Sequence, residues 1–191
     1  MMKYTIMLIA ILALTAVSAA AQGKLKIDPD QQYLLLSTNK TSTMQKELDE
    51  ASALGFRIMV GVSNCGQMEM VLFLERVAEG PNVYKYKMVA TNKTSTMDKE
   101  LNEVAKEGFR LMPQTLMAKE NFLTKEIVGV MEKPPRSNKR YEYKLLATSL
   151  TGTLQKEVKQ AEADGYALVG MIARGENMVV MEKETLLKAG N

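Results

Sequence analysis

Thr38-Asn39-Lys40-Thr41-Ser42-Thr43-Met44 recurs letter for letter as Thr91-Asn92-Lys93-Thr94-Ser95-Thr96-Met97, and a looser version runs Thr148-Ser149-Leu150-Thr151-Gly152-Thr153-Leu154. The match extends outward from these seven residues. Upstream, Tyr33-Leu34-Leu35-Leu36-Ser37 aligns with Tyr86-Lys87-Met88-Val89-Ala90 and Tyr143-Lys144-Leu145-Leu146-Ala147. Downstream, Lys46-Glu47-Leu48 aligns with Lys99-Glu100-Leu101 and Lys156-Glu157-Val158. Gly55-Phe56, Gly108-Phe109 and Gly165-Tyr166 then fall at the same distance in every copy. Such internal similarity is the signature of one supersecondary unit written several times.

Each copy reads as strand, helix, strand, strand. The opening strand alternates, as in Tyr84-Lys85-Tyr86-Lys87-Met88 and Tyr141-Glu142-Tyr143-Lys144-Leu145, and period two is the strand signal. Apolar residues then recur at i, i+4 and i+7: Met44, Leu48, Ala51; Met97, Leu101, Val104; Leu154, Val158, Ala161. That is one stripe of an amphipathic helix of about three turns. Ser42 with Gln45 has the form of a capping box, and Ser95 with Asp98 a looser one. Gly55, Gly108 and Gly165 stand where a left-handed backbone ends a helix at least cost. Two strands close each copy, 57–62 with 68–76 in the first and 168–173 with 177–183 in the third. In the middle copy Pro113 interrupts the pattern, which predicts an edge strand or a late start, and the hairpin around Lys119-Glu120-Asn121 is longer.

The expected architecture is α+β: three tandem βαββ repeats at 31–77, 83–133 and 140–184, each a small antiparallel or mixed sheet with one helix on one face. The third strand is expected between the first two. Glu79-Gly80-Pro81-Asn82 and the basic, proline-containing run Lys133 to Arg140 read as linkers. The closing strand of the first copy is apolar on both faces, Met70, Leu72 and Leu74 on one and Val71 and Phe73 on the other. One helix covers only one face, and a unit of this size buries little on its own. The three units should therefore pack into one body.

Glu107-Gly108-Phe109-Arg110-Leu111-Met112 and Asp164-Gly165-Tyr166-Ala167-Leu168-Val169, each after a Tyr-rich strand and an amphipathic helix, resemble a short bacterial βαββ domain family of unknown function. That family has a Gly-Trp-Glu-Leu-Val-like run here and ends in a β-hairpin. Phe or Tyr stands in place of the Trp, and the chain has no Trp. The resemblance implies the fold and no activity.

The first residues read as a targeting segment. Lys3 precedes an apolar run from Ile6 to Val17, and Ser18-Ala19-Ala20-Ala21 supplies small residues for cleavage before Gln22. Residues 1–21 are thus expected to be a signal peptide, with the mature protein periplasmic or secreted and without a transmembrane segment. Removing Lys3 takes the net charge from +3 to +2, which offers no basic face for nucleic acid. The single cysteine, Cys65 in Ser63-Asn64-Cys65-Gly66, cannot form an internal disulfide. An exposed turn residue and an intermolecular disulfide in a homo-oligomer are both open to it.

Chemistry-bearing constellations are scarce. With no histidine, Ser-His-Asp and Cys-His arrangements are excluded, along with most zinc sites. No phosphate-binding Gly-rich motif occurs, and Glu and Asp sit mainly beside lysines on helix faces. No enzyme activity, cofactor or metal is expected. Met68-x-Met70 could offer two thioethers to a soft metal, but strand and helix methionines mostly fill core space. The candidate ligand-binding residues are Asn39, Lys40, Thr41, Ser42 and Thr43 with Asn92, Lys93, Thr94, Ser95 and Thr96, where free N–H groups, hydroxyls and a lysine at a helix start suit an anion. Helix capping is the competing explanation. The leading expectation is a non-catalytic exported interaction or scaffold module for a protein or envelope polymer. The alternative is a small anionic-ligand or glycan binder using the helix-start loops.

Overall fold

The computed structural model describes residues 27–28, 30–64, 68–77, 80–120, 125–135 and 137–186. Residues 1–21, expected to be a signal peptide, and Cys65 lie outside them. In chain order the first unit holds β1 (Tyr33–Thr38), α1 (Thr41–Ala53), β2 (Phe56–Asn64) and β3 (Glu69–Arg76). The second holds β4 (Lys85–Thr91), α2 (Thr94–Lys106), β5 (Arg110–Glu120) and β6 (Lys125–Lys133). The third holds β7 (Lys139–Thr148), α3 (Thr151–Ala163), β8 (Ala167–Ala173) and β9 (Asn177–Leu186). They form three separate antiparallel sheets, ordered β1-β3-β2, β4-β6-β5 and β7-β9-β8. The last strand of each unit lies in the middle, as expected, and the arrangement is consistent with three repeated units.

The helical stripes face inward: Met44, Leu48 and Ala51 in α1 and Met97 and Leu101 in α2 are fully buried, and Leu154 and Ala161 anchor α3. Each helix stops at its glycine, Gly55, Gly108 and Gly165, at φ of 85°, 90° and 89°, where a Cβ would strain the backbone. The helix starts differ from the capping-box expectation. Lys40, Lys93 and Leu150 occupy the N-cap positions, and none of the three helices has a side-chain cap hydrogen bond. Thr38, Thr91 and Thr148 instead accept the N-cap amide on Oγ1, at 3.2, 3.3 and 3.1 Å. Ser42 and Ser95 lie inside the helix, too late to cap it, which frees Gln45 and Asp98 for other partners.

Those partners belong to the next unit. One continuous core joins Leu34, Leu36, Leu72 and Leu74 of the first sheet, Met44 and Leu48 of α1, and Tyr86, Val128 and Val130 of the second sheet. A second core repeats this around Met97 and Leu101 of α2, with Val89 and Ile127 below and Tyr143, Met178 and Val180 of the third sheet above. The sheets thus do not stack face on face. Helices α1 and α2 each lie between two sheets, and the layers run sheet, α1, sheet, α2, sheet, α3. Sheets 2 and 3 are covered on both faces, by their own helix on one side and the preceding unit's helix on the other. Sheet 1, whose closing strand is apolar on both faces, departs from that expectation: among the described residues only α1 covers it, and Leu35 and Phe73 on its other face are exposed. Burying one Met or Leu is worth roughly 1.5–3 kcal/mol, so a helix serving two sheets contributes to both units at once.

On the side away from the helices the edge strands β2, β5 and β8 touch. Pro113 does not delay β5, which starts at Arg110 and runs through it; β5 is an edge strand, where a missing donor is tolerated. Its register slips between Met112 and Met117. Thr115 fills the gap in the ladder, accepting from Val130 N at 2.9 Å and donating to Met112 O at 2.7 Å. Lys119 and Glu120, expected in a loop, prolong the strand instead. Close approach is allowed by two glycines. A Cβ on Gly61 would lie 2.5 Å from Leu72 Cδ2 and 3.0 Å from Met117 Cε, and one on Gly170 would lie 2.5 Å from Leu116 Cδ1.

Candidate functional site

The chemistry of this chain is concentrated at the junctions between units, and the two junctions are built alike. At the first, Arg57 at the start of β2 reaches the carboxylate of Glu132 on β6, with Nε to Oε2 at 3.0 Å and Nη2 to Oε1 at 2.9 Å. Tyr86 donates its hydroxyl to Glu132 Oε2 at 3.0 Å and accepts from Ile58 N at 3.3 Å. At the second, Arg110 pairs with Glu182 at 2.8–3.1 Å, Tyr143 donates to Glu182 at 2.9 Å, and Leu111 N donates to Tyr143 at 2.8 Å. Each guanidinium also lies over a second tyrosine, Arg57 4.4 Å from the Tyr84 ring and Arg110 5.2 Å from the Tyr141 ring.

The electrostatics follow. Hydrogen bonding to Glu132 and Glu182 holds the Arg57 and Arg110 guanidiniums above their ordinary range. Burial, reinforced by the nearby carboxylates, pushes the Tyr86 and Tyr143 hydroxyls well above theirs. All four therefore stay protonated across the physiological range. The arrangement is a charge-assisted clamp.

The helix supplies a second contact. Gln45 donates to Tyr86 O at 3.0 Å and accepts from Met88 N at 2.8 Å, satisfying the outer edge of β4. On α2, Asp98 accepts from Leu145 N at 2.9 Å while Asn102 bonds both Tyr143 O and Tyr143 N at 2.9 Å, satisfying β7. An exposed strand edge is a template for unwanted pairing, and here a helix side chain occupies it.

The third contact involves the helix-start loops. Lys119 of the second unit donates to Asn39 O at 2.7 Å and also meets Glu126 at 3.2 Å. Arg174 of the third unit donates to Asn92 O at 2.8 Å and to Lys125 O at 2.6 Å. Thr94 Oγ1 lies 3.5 Å from Glu176. Asn39, Lys40, Ser42, Asn92, Lys93 and Ser95 are exposed, and Thr41, Thr43, Thr94 and Thr96 are half-buried. The two candidate loops therefore each receive a cation from the following unit's hairpin on their carbonyl side. The corresponding residue of the third unit, Ser149, receives no such cation among the described residues.

Sequence reasoning missed the Arg–Glu–Tyr clamps because their partners are far apart in the chain. A signal was present in the aligned copies. Arg57 and Arg110 correspond to Ala167 in the third copy, whereas Glu75, Glu132 and Glu182 each face the tyrosine at the same register position, Tyr33, Tyr86 and Tyr143. A cleft of about 360 Å³ lies beside the clamps, lined by Arg57, Arg110, Pro113, Gln114 and Tyr141 among others. Both of its arginines are already paired.

One surface departs from the pattern. On sheet 1 the face equivalent to those covered by α1 and α2 carries Tyr33, Leu35, Val60, Val62 and Phe73, all exposed. Tyr33 is 54% exposed, against 3% for Tyr86 and 2% for Tyr143. Its ring stacks on Phe73 at 5.7 Å. Among the described residues no helix is long and apolar enough to cross a membrane, and no group of three or more acidic, Cys or His side chains converges as a metal site would require. Comparison with protein-family models, with curated proteins and with solved structures finds no match to this chain.

Proposed function

We propose that the protein is a non-catalytic, exported interaction or scaffold module of the cell envelope, built as a stack of βαββ repeats that offers one open end to a partner. The observation that carries this reading is the contrast between equivalent sheet faces. Two are buried under a helix; the first exposes five large apolar side chains together. Contiguous exposed apolar surface of this kind marks interaction sites. The clamps support a structural use of the charged residues, since Arg57, Arg110, Glu132 and Glu182 are committed to holding units together.

The test is retention of envelope components by the immobilised protein, compared with a Leu35→Glu variant. Specific retention lost in the variant supports the module. Equal retention by both, or none by either, counts against it.

A second reading uses the helix-start loops as an anion or glycan site, favoured by the exposed Lys40 and Lys93 at N-cap positions without side-chain caps. Stabilisation by a panel of anions and glycans, removed by Lys40→Ala with Lys93→Ala, would support it; a flat panel would reject it. The loop identity has another source on the module reading. Loops 39–43 and 92–96 each adjoin a following unit that grips them, and among the described residues the diverged third loop is not gripped in this way.

A further inference from the structure

Sheet 1 presents, uncovered, the parts of a junction that sheets 2 and 3 each use. Tyr33 and Glu75 stand opposite one another as Tyr86 and Glu132 do. Glu75 has no ion pair among the described residues, whereas Glu132 and Glu182 each hold an arginine. Tyr33 and Leu35 occupy the strand positions whose counterparts, Tyr86 with Met88 and Tyr143 with Leu145, turn backbone groups outward to a helix side chain; on β1 the Tyr33 carbonyl already accepts from Gln31 Nε2 at 2.6 Å, so the Leu35 amide is the group left for such a helix. The apolar floor between them, Leu35, Val60, Val62 and Phe73, is exposed.

The two internal junctions show what covers such a face: an amphipathic helix with a polar side chain beside its stripe and an arginine just past its C-terminal end. A second copy of this chain, stacked head to tail, does not supply it. Its α3 carries Gln155 at the place of Gln45, but Lys159 replaces Asp49 and Asn102, and Ala167 replaces Arg57 and Arg110. Each internal junction also has a glycine where the edge strands meet, Gly61 in one and Gly170 in the other. Between copies the corresponding residues are Met171 and Val60, so the edge strands would meet without the glycine that each internal junction has. Unpaired ends that fail to match prevent an open filament.

We propose that the outer face of sheet 1 receives an amphipathic helix from a different protein, with Gln, Asn or Asp beside its apolar stripe for the β1 edge and a basic residue at its C-terminal end for Glu75. This deepens the interaction-module reading and rests on it. The bulk of Val60 selects a lone helix over a further sheet-bearing unit.

The probe is a peptide with the sequence of residues 94–110, which holds Asp98, Asn102 and Arg110, together with a version bridged between Lys99 and Glu103 to enforce the helix. Either is titrated into amide- and methyl-labelled protein. The expected result is saturable shifts confined to Tyr33, Leu35, Val60, Val62 and Phe73, with a Kd of about 10 µM to 1 mM, as suits one short helix. Leu35→Glu, at an exposed position, removes binding. Glu75→Gln in the protein, or Arg110→Gln in the peptide, weakens it by roughly fivefold to tenfold through loss of one charge-assisted contact. Three results would overturn the proposal: no shift on this face with either peptide at about 2 mM, shifts centred elsewhere, or a concentration-dependent dimer dissolved by Leu35→Glu. Peptide failure with envelope retention intact would sink only the helix assignment. Peptide binding without any envelope retention would sink only the module reading.

Discussion

Replacing Arg57 by Ala should destabilise the protein more than neutralising its partner, and the difference can be worked from the geometry. The Glu132 side chain is 8% exposed and the Arg57 side chain 40%. In the intact clamp the carboxylate accepts two bonds from Arg57 and one from Tyr86. Arg57→Ala leaves a buried carboxylate with only the tyrosine hydroxyl, a loss near the low end of the 3–5 kcal/mol for breaking a buried pair, because water can enter where the arginine stood; about 3 kcal/mol is expected. Glu132→Gln keeps the shape and an acceptor for the tyrosine, and the guanidinium rehydrates at the surface, so the cost is about 1 kcal/mol. In the double variant no charge is stranded, and the cost should be about 1.5 kcal/mol, leaving a coupling of roughly 2.5 kcal/mol. Urea unfolding followed by circular dichroism measures all three, with the double variant more stable than Arg57→Ala alone. The reasoning is wrong if Arg57→Ala costs no more than Glu132→Gln, or if the two changes add to within about 0.5 kcal/mol.

Other expectations follow from the same junctions. Asp98→Ala should cost about 1–2 kcal/mol by orphaning the Leu145 amide, while Gln155→Ala, which holds no strand edge among the described residues, should stay within about 0.5 kcal/mol; chemical denaturation compares them. Gly61→Ala and Gly170→Ala should each cost about 1–3 kcal/mol through overpacking at the edge-strand contact, read by thermal unfolding. Stability should fall above about pH 10. Tyr86 and Tyr143 are raised in the fold by burial and the adjacent carboxylates, so from about pH 10 upward the unfolded chain loses protons that the folded chain keeps. The slope approaches about 1.4 kcal/mol per pH unit for each tyrosine, and Tyr86→Phe with Tyr143→Phe should flatten it.

What the sequence made legible was local. Alternation in Tyr84 to Met88 marked a strand, the Met44, Leu48, Ala51 stripe marked a buried helix face, and Gly55, Gly108 and Gly165 marked three helix ends at positive φ. Strand order within each sheet also came out as expected. The junctions were hidden because they join residues 72 to 75 positions apart. Gln45 and Asp98 sit at capping-box spacing from a serine, and that local pattern cannot be distinguished by sequence from a helix face turned to another strand. Pro113 does mark an edge strand, β5, but not a late start, and the slip in its ladder, which Thr115 repairs from within the same strand, has no counterpart in the local pattern. The candidate loops were noticed for their identity; the cations from Lys119 and Arg174 that meet their carbonyls lie in the following unit's hairpin.

The central claim is that α1 and α2 are each shared between two sheets, while among the described residues no helix lies against the β1 edge at Leu35. Amide hydrogen exchange tests it most directly, by comparing three equivalent positions on the outer edges of the first strands. Met88 and Leu145 amides, bonded to Gln45 and Asp98, should exchange at least about 100-fold more slowly than the Leu35 amide, which corresponds to an opening cost of about 2.7 kcal/mol or more. Equal protection at all three positions, or fast exchange at Met88 and Leu145, would contradict the account.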